Sequence, residues 1–281
     1  MFAIISDIHS NLEALSVVLK DIEERGIERI LCLGDVVGYG PSPRECIDLV
    51  MERCEICLCG NHDHAVFFEP YNFNVGAERA AYWTRQVFED EPDKALRDRR
   101  WAFLGSLPIR VECDGMLLVH GSPRRPVNEY LFADDVYTNP NKLTSNFERM
   151  EQVACFVGHT HVPGVFMDDP YFESPDELTE PGRYEIAEDD RVIINVGSGK
   201  ETSVNDIIKR VVEITHAKPE IVMNKTHDSG PARMCADLGL AKRKLEKRNN
   251  RHYQELGFYQ VLLLVILDLT LFCQSNCLKS V

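Results

Sequence analysis

No stretch of this 281-residue chain reaches the about 20 uninterrupted apolar residues that a membrane-spanning helix requires. The strong apolar run at residues 261–272 is shorter and contains Asp268, so a buried helix, a strand or a non-native tail is expected of it rather than a membrane anchor. No basic segment with a cleavage site precedes the first apolar run, because Met1 leads at once into Phe2-Ala3-Ile4-Ile5, which reads as a core strand. The absence of a signal peptide implies a cytoplasmic, reducing setting in which the ten Cys are thiols. Cys54, Cys57 and Cys59 lie close together, yet no second pair of ligands follows at zinc-site spacing, and they read as small hydrophobes in a buried strand. Positive charge is scarce: 31 Lys and Arg stand against 45 Asp and Glu, a net charge of -14. A field of that sign repels polyanions, which excludes generic binding to nucleic acid or to an anionic membrane. A small phosphorylated substrate is still admitted where bound divalent cations invert the field locally.

The charge is also unevenly spread. Residues 1–199 carry 18 Lys and Arg against 36 Asp and Glu, a net of -18, whereas residues 200–255 carry 12 against 8, a net of +4. The shift near residue 200 marks a candidate boundary. Three segments are expected: a domain at 1–198, an appended fragment at 199–255 and a hydrophobic tail at 256–281.

Apolar spacing predicts a strand at Phe2–Ser6, a helix at Leu12–Glu24 capped by Asn11, and a strand at Ile30–Leu33. A helix at Pro43–Arg53 and a strand at Ile56–Cys59 complete a β-α-β-α-β series, the pattern of a layered α/β fold. Helices near Ala77–Glu89 and Asp93–Leu104 follow. After Pro108 the pattern turns to strands: Arg110–Cys113, Met116–His120, Ala154–Val157, Val165–Met167, Tyr184–Ala187 and Val192–Val196. The polar stretches Gly121–Asn141 and Asp168–Gly182 read as long loops, of the kind that carries substrate contacts beside a site.

Five short motifs each follow a predicted strand: Asp7-Ile8-His9, Gly34-Asp35-Val36-Val37-Gly38, Gly60-Asn61-His62-Asp63, His120-Gly121 and Gly158-His159-Thr160-His161. Taken singly each is weak, since Gly-Asp-X-X-Gly is commonly a turn and Gly-Asn-His-Asp fits an Asx turn. Together they place imidazoles, carboxylates and one amide at the carboxyl ends of strands, where α/β sheets gather their ligands. Such a mixed N/O donor set suits Mn, Fe, Zn, Ni or Co better than Mg.

This ordered set resembles the calcineurin-like metallophosphoesterase superfamily over about residues 1–198. The resemblance implies a four-layer α/β/β/α sandwich with two divalent transition-metal ions at its edge, manganese first among them. It further implies that Asp7, His9, Asp35 and His161 bind one metal and that Asp35, Asn61, His120 and His159 bind the other. His62 would stand near the scissile phosphate as the candidate acid, with hydroxide attacking phosphorus in line. Asp35 and His62 are thus the expected catalytic residues, and Asn61, Arg124 and Arg125 the expected substrate contacts. Surface arginines are the alternative for the last two. Asp63 either orients His62 or is a solvated loop carboxylate.

The chain departs from the Ser/Thr protein phosphatases of that superfamily, whose run is Gly-Asp-X-Val-Asp-Arg-Gly. Gly38 replaces the second Asp and Tyr39 replaces the Arg, which disfavours protein phosphatase activity and leaves room for a phosphodiester, nucleotide or phosphomonoester substrate. A catalytically silent scaffold on the same fold is the other alternative. From Gly197 onward the sequence resembles the C-terminal part of extended short-chain dehydrogenases and nucleotide-sugar epimerases, across about 197–248. Neither Gly-X-Gly-X-X-Gly after an N-terminal strand nor a Tyr-X-X-X-Lys pair accompanies it, so no NAD chemistry is expected.

Overall fold

A computed structural model describes residues 1–169, 171–177, 184–186, 190–197 and 265–267. The expected epimerase-like fragment at 199–255 lies outside the described residues, as does all of the tail except Val265–Leu267.

The first half alternates as its apolar spacing predicts. Strand β1 (Phe2–Ile5) runs into helix α1 (Leu12–Glu24), whose Asn11 side chain accepts the Ala14 N–H at 3.1 Å. That cap satisfies one of the helix's unpaired N-terminal donors. Strand β2 (Arg29–Cys32), helix α2 (Pro43–Arg53) and strand β3 (Ile56–Cys57) follow, with Pro43 in the first turn, where its missing N–H costs nothing. β1, β2 and β3 pair in parallel. Helices α3 (Asn61–Phe67), α4 (Val75–Glu89) and α5 (Lys94–Ser106) complete this half; α3 was not expected from the sequence.

The second sheet is built from β4 (Arg110–Cys113), β5 (Met116–Val119), β6 (Ala154–His161), β7 (Gly164–Met167), β8 (Tyr171–Glu173) and β9 (Val192–Gly197), in the order β4-β5-β6-β9-β7-β8. Helices α6 (Asp135–Thr138) and α7 (Pro140–Phe147) lie between β5 and β6, so the expected long loop at 121–141 is partly helical. No strand forms at Tyr184–Ile186, where one was expected; Tyr184 and Ile186 instead lean on the core between the sheets.

Period-two alternation divides each strand between two cores. Ala3 and Ile5 of β1 face Leu15, Leu19, Cys46, Ile47 and Phe88 of the helices. Phe2 and Ile4 face the other way, onto Met116, Leu118, Ala154, Phe156 and Val192 of the second sheet. That sheet's opposite side, with Leu117, Val119, Cys155 and Val157, packs on Leu143 and Phe147 of α7. The layers are therefore helix, sheet, sheet, helix, as the resemblance implied. Both sheets are covered on both faces, which is why β1 and β5 are apolar throughout rather than alternating.

Cys54 and Cys57 pack against the helix-side core, and burial raises the pKa of both thiols. For Cys57 the neighbouring Cys32 thiol is the larger cause. Among the described residues no cluster of metal-ligating side chains includes a Cys. Within the 261–272 run, Val265–Leu267 form β10, antiparallel to β1 at the edge of the first sheet. Among the described residues no helix is long and apolar enough to cross a membrane.

Candidate metal centre

All five motifs leave strand ends, or the turn after one, on the same edge of the two sheets. Their backbones are tied to one another before any side chain is considered. The Asp7 N–H donates to the Gly34 carbonyl, His9 N–H to the Asp35 carbonyl, and Gly158 N–H to the His120 carbonyl, at 2.8–3.0 Å. Five residues of the expected ligand set, Asp7, His9, Asp35, His159 and His161, have φ between 48° and 64°. That left-handed region is costly for residues with a Cβ and persists only where surroundings over-determine it, typically at functional sites. For His161 the cause is visible. The β6–β9 register shifts between Val157 and His161, and this irregularity re-aims the end of β6 toward the first sheet.

The side chains converge. Asp7, His9 and His161 present ligand atoms within 4.8 Å of one another, as do His9, Asp35 and His62, and Asp35, His120 and His159. Asp7 Oδ1 lies 3.0 Å from His161 Nε2, and Asp35 Oδ2 lies 3.3 Å from His120 Nε2. Asn61 joins through its Oδ1, 3.2 Å from His120 Nε2. All seven expected ligands, with His62, thus occupy one place. Each is buried except His161, which is half-buried.

Neighbouring groups orient the ligands. His120 Nδ1 lies 3.1 Å from the Leu33 carbonyl, which only accepts, so Nδ1 carries a proton and Nε2 is left facing the cluster. His62 N–H donates to Asp35 Oδ1 at 2.8 Å, and His159 N–H to Asp7 Oδ2 at 3.2 Å. The electrostatics show what the cluster lacks. Burial alone would raise Asp35 and Asp7, but the histidines around them hold both carboxyls below the usual range. Burial lowers His9 and His159 to about 3, so both imidazoles are neutral and available as ligands. His120 is pulled the other way: burial works against its charge, yet Asp35 and Asp7 raise it to about 9. The two carboxylates draw protons onto nearby imidazoles, doing to a proton what they would do to a cation. His9 Nδ1, His62 Nδ1 and His159 Nε2 are buried with no hydrogen-bond partner among the described residues. Buried polar atoms without partners are uncommon and call for an explanation. For His159 Nε2 a divalent cation in this mixed N/O cage supplies one. His9 turns its Nε2 to the carboxylates, 3.8 Å from Asp35 Oδ2, so a cation there leaves its Nδ1 unexplained.

Asp63 and Arg124 have partners the sequence did not indicate, while Arg125 fits the surface alternative. Asp63 is buried and neither solvated nor aimed at His62: it accepts the Gly60 N–H at 3.0 Å and the Val37 N–H at 3.1 Å. It therefore pins the Asp35 loop to the start of α3, while burial and the Asp35 charge raise its carboxyl to about 7. Arg124 gives its guanidinium to Glu129, 2.7 Å from Oε1, in a network that also takes the Ser122 hydroxyl and the Asn146 amide. Arg125 is exposed on the same turn. Nothing in the loop after His120, which also carries Asp134 and Asp135, distinguishes Glu129.

Tyr39 and Phe73 enclose His62, with ring centroids 4.4 Å and 4.8 Å from its own. A Cβ on Gly38 would stand 2.6 Å from His62 Nδ1, so this ring fits only because residue 38 has no side chain. Gly60 is constrained more severely: its Cβ would meet Asp35 Oδ1 at 2.1 Å and Asp35 N at 2.3 Å. Gly60→Ala is expected to cost about 1–3 kcal/mol by overpacking and to displace the Asp35 carboxylate. A lowered urea midpoint together with weakened manganese binding in calorimetry checks this; an unchanged midpoint refutes it.

The model of the calcineurin-like phosphoesterases matches residues 1–163. An uncharacterized protein of Methanocaldococcus jannaschii is 38% identical over 208 residues, covering 70% of this chain and 75% of its own length. Among solved structures, a metallophosphoesterase from Sphaerobacter thermophilus is 34% identical with a TM-score of 0.57, over 73% of this chain and 79% of its own. A hypothetical protein of Pyrococcus horikoshii is 18% identical with a TM-score of 0.51, over 70% and 77%, a likeness of fold alone.

Proposed function

Because the chain belongs to the calcineurin-like phosphoesterase family, we propose that its cluster holds two divalent cations and that the protein hydrolyses a small phosphate ester. One observation carries this reading: Asp35 stands in two ligand groups at once, with His9 and His62 on one side and His120 and His159 on the other. A carboxylate so placed suits a bridge between two cations about 3.5–4 Å apart. Asp7 and His161 complete the first site, and Asn61 completes the second through its amide oxygen. Four imidazoles among the donors favour manganese, iron, zinc, nickel or cobalt over magnesium, and manganese is the proposed resident.

When bound, such cations lower the pKa of a water to near neutrality and withdraw charge from phosphate oxygens. The protein's own residues do the rest. Asp7, Asp35 and the backbone ties between their loops keep the donors in place before substrate arrives. His62, held by its backbone bond to Asp35 and by the rings of Tyr39 and Phe73, is the group placed to donate to the leaving oxygen. With Gly38 and Tyr39 in place of the Asp and Arg of protein phosphatases, a small phosphodiester or nucleotide is the proposed substrate rather than a phosphoprotein.

The test is metal content joined to turnover. Purified protein is expected to carry two transition-metal ions per chain by mass spectrometry. Chelation should abolish hydrolysis of bis-p-nitrophenyl phosphate, and manganese should restore it. Protein that holds no tight metal, or that hydrolyses the ester equally well after chelation, refutes the proposal.

A further inference from the structure

The chain leaves the metal centre at His120 and returns to it at Tyr130, whose ring stacks on the His159 imidazole with centroids 3.8 Å apart. Between these two points the backbone folds tightly on itself. The Gly121 N–H donates to the Pro126 carbonyl at 2.6 Å and the Ser122 N–H to the Arg125 carbonyl at 3.2 Å. A Cβ on Gly121 would stand 2.8 Å from Glu129 N and 2.9 Å from Asn128 N, so the returning chain can pass only because residue 121 has no side chain.

One carboxylate closes this loop. Glu129 is 9% exposed. Its Oε2 accepts from the Ser122 hydroxyl at 2.7 Å and from the Asn146 amide at 3.1 Å, while the Arg124 guanidinium reaches Oε1 at 2.7 Å and Oε2 at 2.9 Å. Asn146 of α7, itself fully buried, also accepts the Arg124 N–H at 3.0 Å, so the loop is fastened to a helix as well as to itself. Burial would raise the Glu129 carboxyl, but the donors from Arg124, Ser122 and Asn146 hold it at about 2. Burying such a pair brings little net stability, since desolvation offsets the attraction. What it fixes is the course of the loop.

That course serves the two ligand groups unequally. His120 and His159 stand together with Asp35 in one group, their ring centres 5.1 Å apart. Asp7, His9 and His161 form another, from the turn after β1 and the end of β6. His120 Nδ1 has the Leu33 carbonyl to orient it, but His159 Nε2 has no partner among the described residues. The His159 ring is therefore set by packing, with Tyr130 on its face.

We propose that Glu129 is a positioning residue for one of the two cation sites, the one built on His120 and His159, and not for the site of Asp7, His9 and His161. This rests on the two-cation reading of the cluster and adds an asymmetry to it. Glu129 touches neither cation site; it acts through the loop whose first residue follows one imidazole and whose last ring covers the other.

The experiment titrates manganese into the chelator-stripped full chain by calorimetry and follows the same samples by electron paramagnetic resonance. A close pair of manganese ions gives a spin-coupled signal and a lone ion does not. The parent is expected to show two binding steps and the coupled signal. Glu129→Gln keeps the shape and removes the charge. It should weaken one step by about 10–100-fold, the usual cost of losing a group that orients a metal ligand, and leave the other step at parental affinity. Below saturation of the weakened step, the signal should be that of an isolated ion. Glu91→Gln is the matched control: Glu91 is also 9% exposed and bonded to an arginine at 2.7 Å, Arg100 of α5, but it follows α4, which carries none of the seven expected ligands. It should lower the thermal midpoint yet keep both steps at parental affinity. Equal weakening of both steps, parental affinity at both, or the same selective loss in Glu91→Gln overturns the proposal. If circular dichroism shows Glu129→Gln unfolded, Ser122→Ala decides, since it removes one donor and leaves the ion pair. One weakened step then supports the proposal, and two parental steps overturn it. A parent that binds fewer than two ions sinks the two-cation reading itself and the proposal with it, which tells the two failures apart.

Discussion

Asp35→Asn protein that stays folded is expected to lose about 1,000-fold or more of its turnover of bis-p-nitrophenyl phosphate, about 4 kcal/mol of transition-state stabilisation. The amide keeps the shape of the carboxylate and one acceptor oxygen, so the 2.8 Å bond from the His62 N–H can survive. What it removes is the charge that faces His120 and His9 together. Two effects then add. Each cation site loses its shared anionic donor, and His120 loses the partner that most strongly raises its pKa. Circular dichroism should match the parent, since Asp35 lies at a loop rather than in a core, and metal content should fall below two ions per chain. Turnover within tenfold of the parent, with the metal count unchanged, would show that Asp35 bridges nothing.

The second large effect is expected at His62 and depends on the leaving group. His62→Gln should slow hydrolysis of an alkyl ester by about 10²–10⁴-fold, the range for loss of a positioned proton donor. The p-nitrophenyl ester should be slowed far less, because p-nitrophenolate departs with little help. The selectivity matters more than the size, since damage to the metal sites would slow both esters alike. Among the described residues the His62 ring makes no ion pair with a carboxylate; it is set by Tyr39, Phe73 and the edge of His9, 4.9 Å away. Tyr39→Leu should therefore reproduce part of the same leaving-group dependence, and Tyr39→Phe should not. Equal losses on both esters for His62→Gln would remove His62 from the proton-transfer role.

The elements of the first half were legible because local rules and tertiary packing agree there. Leu12–Glu24 and Pro43–Arg53 have the bounds that capping and spacing predicted, since Asn11 and Pro43 are start signals that act within one turn. The misses have physical causes too. α3 begins at Asn61 because Asp63 caps it through Gly60 and because Asn61 and His62 must point at the cluster, whereas the seven residues alone are too short and polar to declare a helix. The expected strand at Tyr184–Ala187 followed a genuine apolar alternation, but alternation cannot tell a paired strand from an extended segment leaning on a core.

By itself the sequence determined which donors the centre has to work with. Two carboxylates, an amide and four imidazoles stand at strand ends in an order that few other arrangements would produce, because the chemistry of a mixed N/O cage is written in residue types. Only the tertiary structure decided what the intervening polar residues do. The sequence singled out Asp63, Arg124 and Tyr39 without their partners and did not mark Glu129; those partners stand between 3 and 26 positions away. A side chain's partner is set by where the backbone folds it, and no local spacing encodes a contact made across two sheets.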